Sequence, residues 1–362
     1  MALSDRRRGS MALPDCPRAG ALALVTGGAG FLGAALVRTL TSAGLTVRVL
    51  DPKPPPAPVA GVDYRADSVL DAGALGPALD GVDYVFHLAA NAQLWARDRT
   101  AFATVNVGGT KALLSACRGR ALERVVVTSS EVVMKSRRGG RGPTHEGLEL
   151  ALSDMAGPYC ASKLEAERLA LAAEDEGLPV TVVNPTLPIG PGDFGVTPPT
   201  QMLTDYLDGR HPAFLEFTMN LADVRDLAAG HWLAALRGRI GARYLLGGED
   251  VTMSELLAML SELTGLPMPR TRIPWGVAYT AAAISEFLAD RVTGRPPKAT
   301  LTGVRLARSC GGTDLTRARE ELGYAPRPAR EALAEAAAWL AREGRLTRSF
   351  LRDPLTAPDA AS

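Results

Sequence analysis

The stretch LALVTGGAGFLGAAL, residues 22–36, constrains this chain more than any other. A run of aliphatic and β-branched residues stops at a glycine, and two more glycines follow at every third position before a helix-forming run. The apolar run reads as a buried strand. Gly27, Gly30 and Gly33 form GxxGxxG, and each lacks a Cβ for its own reason. One glycine permits a backbone angle that a side chain forbids. Another lets the backbone approach a pyrophosphate, and the last lets the helix lie close to its strand. Free N–H groups of a helix beginning near Phe31 and Leu32 would then face the anion. The motif alone is weak evidence, and its place between strand and helix gives it weight.

The surrounding chain alternates strand and helix. LALVTG, TVRVLD, VDYRA, DYVFHLA, RVVVTSS and VTVVNP read as strands, and Ala/Leu-rich stretches at 33–43, 100–118 and 159–177 as helices. Such alternation predicts a parallel sheet covered on both faces. After Pro185 the texture changes, and NPTLPIGPGDFGVTPP reads as a long functional loop. The later runs SELLAMLSELTG and REALAEAAAWLAREG are helical, with fewer strands between them. The expected fold class is α/β: a Rossmann-type doubly wound parallel sheet with a smaller C-terminal α/β substrate lobe closing over its carboxyl edge. The expected divisions are a disordered tail at 1–20, a dinucleotide-binding domain at 21–187, a mainly substrate-binding lobe at 188–346 with parts returning to the sheet, and a tail at 347–362. No internal repeat is visible, and PKPPPAPV at 52–59 is a short loop.

Eighteen residues past Gly33 the second strand ends in Asp51. An acid there accepts hydrogen bonds from the ribose hydroxyls of NAD and repels the 2′-phosphate of NADP. NAD is therefore preferred over NADP, although Arg48 and Lys53 lie near and Asp51 would also suit a turn before Pro52. Asp67 and Ser68 follow the third strand, within reach of an adenine. In FHLAA the small residues around Leu88, Ala89 and Ala90 leave room for a cofactor, and His87 reads as a buried strand-end histidine rather than a catalytic one.

GPYCASKLEAE places Tyr159 and Lys163 four residues apart in a helix-forming run, so both side chains share a face. A nearby ammonium is expected to lower the pKa of a phenol. Upstream, VVVTSS ends a strand with Thr128, Ser129 and Ser130, whose hydroxyls could hold a substrate oxygen. A phenol, a hydroxyl and a hydride carrier are what interconversion of a secondary alcohol and a ketone requires. YxxxK recurs by accident, but here the glycine turn, the acid, the serine and YxxxK all fall at strand carboxyl ends, where open α/β sheets bind ligands.

Composition excludes other classes. The 40 basic and 39 acidic residues leave a net charge of +1, with no global field for nucleic acid or an anionic membrane. Cys16, Cys117, Cys160 and Cys310 form no CxxC pair and no disulfide framework, which favours a reducing cytoplasm. Four histidines in no ligand spacing predict no metal site. The start MALSDRRRGSMALPDCPRAG lacks a signal-peptide pattern and reads as a tail, with Met11 an alternative start. IPWGVAYTAAAISEFLAD carries Glu286 and falls short of the roughly 20 residues of a membrane span. It reads as a buried helix of the second lobe, with an interfacial helix as the alternative.

These motifs resemble the extended short-chain dehydrogenase/reductase family, of the NAD-dependent epimerase/dehydratase type. The resemblance rests on TGGAGFLG, Asp51, NVGGT at 106–110, TSS at 128–130, YCASK at 159–163 and NP at 184–185, and runs from about Ala21 to about Leu346. It implies that Tyr159 is the acid/base, that Lys163 activates it, and that Ser130 binds the substrate oxygen. It makes Asn106 a structural helper in the proton relay and puts Asn184, with Pro185, beside the substrate or the nicotinamide. QLWARD, NPTLPIGPGD, MNLADVRDLAAGH and GVRLARS look most like the hopanoid-associated sugar epimerase-like and dihydroflavonol-reductase-like group. A weaker similarity is to steroid and sterol 3β-dehydrogenases. Gln93, Trp95, Glu131 and Asn184 are then candidate substrate contacts.

Glu131 departs from the pattern, since relatives carry a small or apolar residue there; the preferred reading is a salt bridge to Arg137 or Arg138. The basic stretch MKSRRGGRGPTHEG reads as a solvated loop, with an acidic substrate group as the alternative. The expected function is an NAD(P)-dependent oxidoreductase acting on a medium-sized small-molecule substrate. A sugar-nucleotide epimerase using the same residues is the alternative, and a non-catalytic binder is disfavoured by the intact Ser/Tyr/Lys set. No arginine stands in PIGPGDFGVTPPTQM to clamp a diphosphate, although Arg210 and Arg225 could serve. A homodimer through helices near 100–118 and 158–175 is expected from the resemblance.

Overall fold

A computed structural model describes Met11 and residues 13–140, 142–308 and 311–356. The first half of the chain builds β1 (Leu22–Thr26), α1 (Phe31–Ser42), β2 (Thr46–Leu50), β3 (Asp63–Arg65), α2 (Ala72–Ala78) and β4 (Tyr84–His87). It continues through α3 (Thr100–Phe102), a π-helical turn (Ala103–Gly108), α4 (Gly109–Cys117), β5 (Arg124–Thr128), α5 (Pro158–Ala172) and β6 (Val180–Pro185). The remainder contributes β7 (Leu187–Ile189), α6 (Pro198–Leu207), β8 (Ala213–Leu215), β9 (Thr218–Asp223), α7 (Val224–Arg237), β10 (Arg243–Leu246), β11 (Glu249–Thr252) and α8 (Met253–Thr264). It ends with β12 (Thr271–Ile273), α9 (Trp275–Leu288), α10 (Leu301–Ala307) and α11 (Ala329–Arg342).

The main sheet has seven strands in the order β10-β6-β5-β4-β1-β2-β3, and every pairing in it is parallel. Its strands are apolar on both faces because helices cover both. Ala23 and Val25 of β1 face one core with Leu36 and Leu40 of α1 and Trp232 of α7, while Leu24 faces the other with Leu75 of α2 and Leu113 of α4. The order turns back at β1 and β4, which opens a crevice at their carboxyl ends. The second lobe packs α6, α8 and α11 against the small sheet β11-β9-β7 around its own apolar core. From the second half of the chain, α7 lies beside α1 and β10 extends the main sheet.

Three expectations need correction. The segment after residue 12 is not a disordered tail: Leu13 and Cys16 pack on the first core, and Trp232 Nε1 donates to the Pro14 carbonyl at 2.8 Å. Arg18 pairs with Asp83 on the sheet domain. At the other end, Phe350 packs on the second core and the Leu351 amide donates to the Thr264 carbonyl at 2.8 Å, so residues 347–356 belong to the lobe. Residues 1–10, 12 and 357–362 of the two expected tails lie outside the described residues. The third correction is α9. Only Ala282 of this helix is buried, because its covered side carries mostly small residues and its large apolar side chains Val277, Ile284, Phe287 and Leu288 face outward. Among the described residues no helix is long and apolar enough to cross a membrane. Cys16, Cys117 and Cys160 are free thiols, and Cys310 lies outside the described residues.

Candidate active site

A cavity of about 1070 Å³ opens where β1, β2, β4, β5 and β6 end, and the second lobe closes its far side. Gly27, Gly30, Phe31, Leu32 and Gly33 form one end of it. Gly27 takes φ +74°, and a Cβ there would stand 2.6 Å from the Ala89 amide nitrogen. A Cβ on Gly33 would come within 2.1 Å of the Gly27 carbonyl oxygen. Helix α1 can therefore start directly against the turn. Gly30 offers no side-chain cap, so the first amides of α1 remain available to an anion. Leu88, Ala89 and Ala90 supply a small-residue wall after β4.

Asp51 lines the same end. Its Oδ2 accepts the Ala29 amide at 3.1 Å and its Oδ1 the Lys53 amide at 2.9 Å. Those bonds orient the carboxylate and leave it spare acceptor capacity for two ribose hydroxyls. Arg48 is spent elsewhere, on Asp63 at 2.8 Å and on the carbonyls of Ala78 and Asp80. Ser68 and Lys53 are on the wall, whereas Asp67 is exposed and outside it. Three buried polar atoms of wall residues, Ser129 Oγ, Thr186 Oγ1 and Asp193 Oδ1, have no hydrogen-bond partner among the described residues. A dinucleotide fits this set: a glycine-built anion seat, a ribose-reading acid, and unspent hydrogen-bonding atoms at the opposite end.

Pro158 opens α5 at its first turn, where a missing N–H costs nothing, and sets Tyr159 and Lys163 one turn apart on the cavity wall. The end of β5 brings Thr128, Ser129 and Ser130 to face them. Ser130 and Tyr159 share the cavity wall, with the serine hydroxyl near enough to the phenol to favour its ionised form. Lys163 Nζ donates to the Thr128 carbonyl at 2.6 Å. The expected lowering of the phenol by Lys163 is not found. Burial dominates and pushes Tyr159 up to about 12, against a lowering by the Ser130 hydroxyl. The lysine is the group brought down, to about 8, by burial and against the nearby Glu167 carboxylate, which raises it.

A hydrogen-bonded scaffold lies behind these groups. Asn184 is wholly buried and off the cavity wall, which corrects its expected contact with substrate or nicotinamide. Its amide donates to the Ser130 carbonyl at 3.2 Å and to Glu167 Oε2 at 2.6 Å. Glu167 Oε1 accepts from Arg243 at 2.7 Å. Glu167 thus links the lysine's helix to the serine's loop, a role visible in sequence only as an acid one turn after YxxxK. Asn106 is also buried off the wall. It sits in the π-helical turn, accepts the Asn91 amide at 2.7 Å and donates to Ser162 Oγ at 2.9 Å. His87 is a core histidine held between Thr26 and Thr110.

The substrate half of the cavity is apolar. Leu187, Phe194, Met202, Phe217, Met219 and Val304 line it, all beyond β6 and invisible to motif reading because they converge from separate elements. Gln93 and Pro185 are on the wall. Trp95 is not; its indole donates to Asp290 at 2.9 Å. Glu131 pairs with Lys135 at 2.8 Å rather than with Arg137 or Arg138, because four residues of a tight 3₁₀ turn bring Lys135 under it. Both members are buried on the wall. No arginine lines the cavity among the described residues. Arg210 is tied to Asp205 and Asp208, and Arg225 to Asp223 and Glu335.

The chain is similar to known proteins over most of its length. Residues 23–247 match the model of the NAD dependent epimerase/dehydratase family. A protein of Synechocystis sp. provisionally named dihydroflavonol 4-reductase is 35% identical over 341 residues, covering 92% of this chain and 97% of its own. Sterol demethylase protein B of Methylococcus capsulatus is 33% identical over 327 residues, covering 89% of this chain and 98% of its own. The solved structure of a nucleoside-diphosphate-sugar epimerase from Pseudomonas aeruginosa superposes with a TM-score of 0.74 at 25% identity, covering 91% of this chain and all of the other.

Proposed function

Because the chain belongs to the NAD-dependent epimerase/dehydratase family and is an enzyme of that extended short-chain type, we propose that it is an NAD(P)-dependent oxidoreductase interconverting a secondary alcohol and a ketone on an apolar, medium-sized substrate. The observation that carries this reading is the Ser130–Tyr159 pair on the wall of a cavity whose other half is apolar. The glycine turn, Asp51 and Lys163 would hold the dinucleotide, which supplies or takes up the hydride when bound. Ser130 holds the substrate oxygen. Tyr159, protonated at neutral pH, gives its proton to that oxygen as the carbonyl is reduced. Lys163, pinned by the Thr128 carbonyl, keeps a positive charge beside the reacting groups. NAD over NADP belongs to the proposal: Asp51 lines the ribose end and Arg48 is already engaged. So do a homodimer through α4 and α5, which light scattering at twice the chain mass would support, and a cytoplasmic location.

The likeness to a nucleoside-diphosphate-sugar epimerase keeps a second reading in view, in which the cofactor is retained and no net oxidation occurs. The absence of arginine from the cavity wall among the described residues weighs against a nucleotide diphosphate. The experiment incubates the purified protein with NADH or NADPH and a panel of apolar ketones. Absorbance at the reduced nicotinamide band should fall mole for mole with alcohol formed, faster with NADH. Tyr159→Phe should lose on the order of 10²–10⁴ in rate while still binding NADH. An isomerised product, with firmly held cofactor and no net absorbance change, would establish the epimerase instead.

A further inference from the structure

Helix α9 is amphipathic in the wrong sense for a helix that merely covers a lobe. Its one charged side chain, Glu286, is mostly covered and bound by Arg99, which also binds Asp290 just past the helix; Asp290 takes the Trp95 indole as well. Trp275 stacks on Tyr279 with ring centroids 4.9 Å apart, and the Arg308 guanidinium covers Trp275. Its exposed side carries Val277, Ile284, Phe287 and Leu288 at helical spacing, and the exposed Val292 follows in the turn beyond it. Phe287 is 61% exposed and Val292 70%. A stripe of this kind in water is costly and marks an interaction surface. Just past its carboxyl end stand Arg291, Arg295 and Lys298, all exposed and without an ion pair among the described residues.

We propose that α9 and the turn after it seat the protein on an anionic lipid surface, with the apolar stripe in the headgroup–acyl boundary and the three cations against lipid phosphates. The stripe runs along a helix of 14 residues, about 21 Å at 1.5 Å per residue, long enough to lie in the interface and too short to span it. The cations supply the complementarity that selects anionic lipid over a neutral surface. The helix lies one layer from the substrate cavity, since α10 packs on its covered side and Gly303, Val304 and Leu306 of α10 form cavity wall. Docking there brings the cavity close to the place where apolar small molecules concentrate. The inference goes beyond the proposed reaction and does not depend on it.

The test is co-sedimentation of the full chain with large vesicles of phosphatidylcholine, with and without one third phosphatidylglycerol, alongside light scattering. Binding should require phosphatidylglycerol and weaken with salt. Ile284→Glu with Phe287→Glu, both at exposed positions, should lower vesicle affinity by about tenfold or more. Arg291→Gln with Arg295→Gln should lower it on anionic vesicles. All variants should keep the wild-type melting temperature and NADH affinity, which separates lost docking from lost folding or a wrong reading of the reaction. No binding to either vesicle, equal binding to both, or anionic binding untouched by the stripe substitutions would overturn the proposal. So would substitutions that only split a dimer, since a second copy would then own the face.

Discussion

At the scale of single residues, the reacting centre is governed by burial more than by paired charge. The Tyr159 phenol sits near 12 and the Lys163 ammonium near 8, so at neutral pH both keep their protons. Glu167 is the counterweight: its carboxylate raises Lys163 against desolvation and, through Asn184, holds the Ser130 carbonyl. Activity that needs the lysine charge should fall as pH rises through about 8. Glu167→Gln removes the anion and keeps a side chain able to bond Asn184, so the alkaline limb of the pH–rate profile should move to lower pH. A limb that stays put would show that Glu167 is only a strut. Ser130 was legible as a hydroxyl past a strand end, and Tyr159 with Lys163 as a pair one helical turn apart. The direction of the phenol's shift was not, because desolvation depends on side chains that approach from distant parts of the chain.

At the scale of elements, local spacing carried far. The six strands of the first half are where their β-branched runs predict, because a strand buried on both faces must be apolar throughout. The stretch 100–118 reads as one helix but is broken by a π-helical turn at Ala103–Gly108, which turns Asn106 toward Asn91 and Ser162. No propensity signals such a turn, since the gain is a tertiary hydrogen bond. The β1–α1 junction gives a sharper test. In Gly33→Ala the new Cβ would stand 2.1 Å from the Gly27 carbonyl, and α1 must move away. A loss of about 1–3 kcal/mol and a clear drop in NADH affinity should follow, read by thermal melting and fluorescence titration. Gly76→Ala in α2 is the control, with nothing within 4 Å of its Cβ; it should stabilise by roughly 0.5–1 kcal/mol. Equal behaviour of the two variants would remove the close-packing argument.

At the scale of the whole molecule, two buried histidines tie stability to acidity. His87 is held down to about 3 and His231 to about 4, both by burial, from an ordinary 6.5. Below 6.5 the unfolded chain takes up protons at these rings while the folded chain refuses them. Their contribution is therefore complete above 6.5 and is lost as pH falls toward 3. Urea midpoints should drop steadily over that window, with a slope approaching about two protons, and the pair His87→Gln with His231→Gln should flatten it. Wild-type midpoints that do not change between neutral pH and pH 4 would contradict the burial.

The sequence alone determined the parallel α/β sheet, the glycine seat, the strand-end acid and the Ser/Tyr/Lys set, because each is written in spacings of a few residues that backbone geometry reads directly. Only the tertiary structure decided that Asn184, Asn106, Asp67 and Trp95 lie off the cavity wall, that Glu131 answers to Lys135, and that α9 turns its apolar stripe outward. Those outcomes rest on which surfaces meet across long stretches of chain, and helical periodicity marks an apolar face without saying what will cover it.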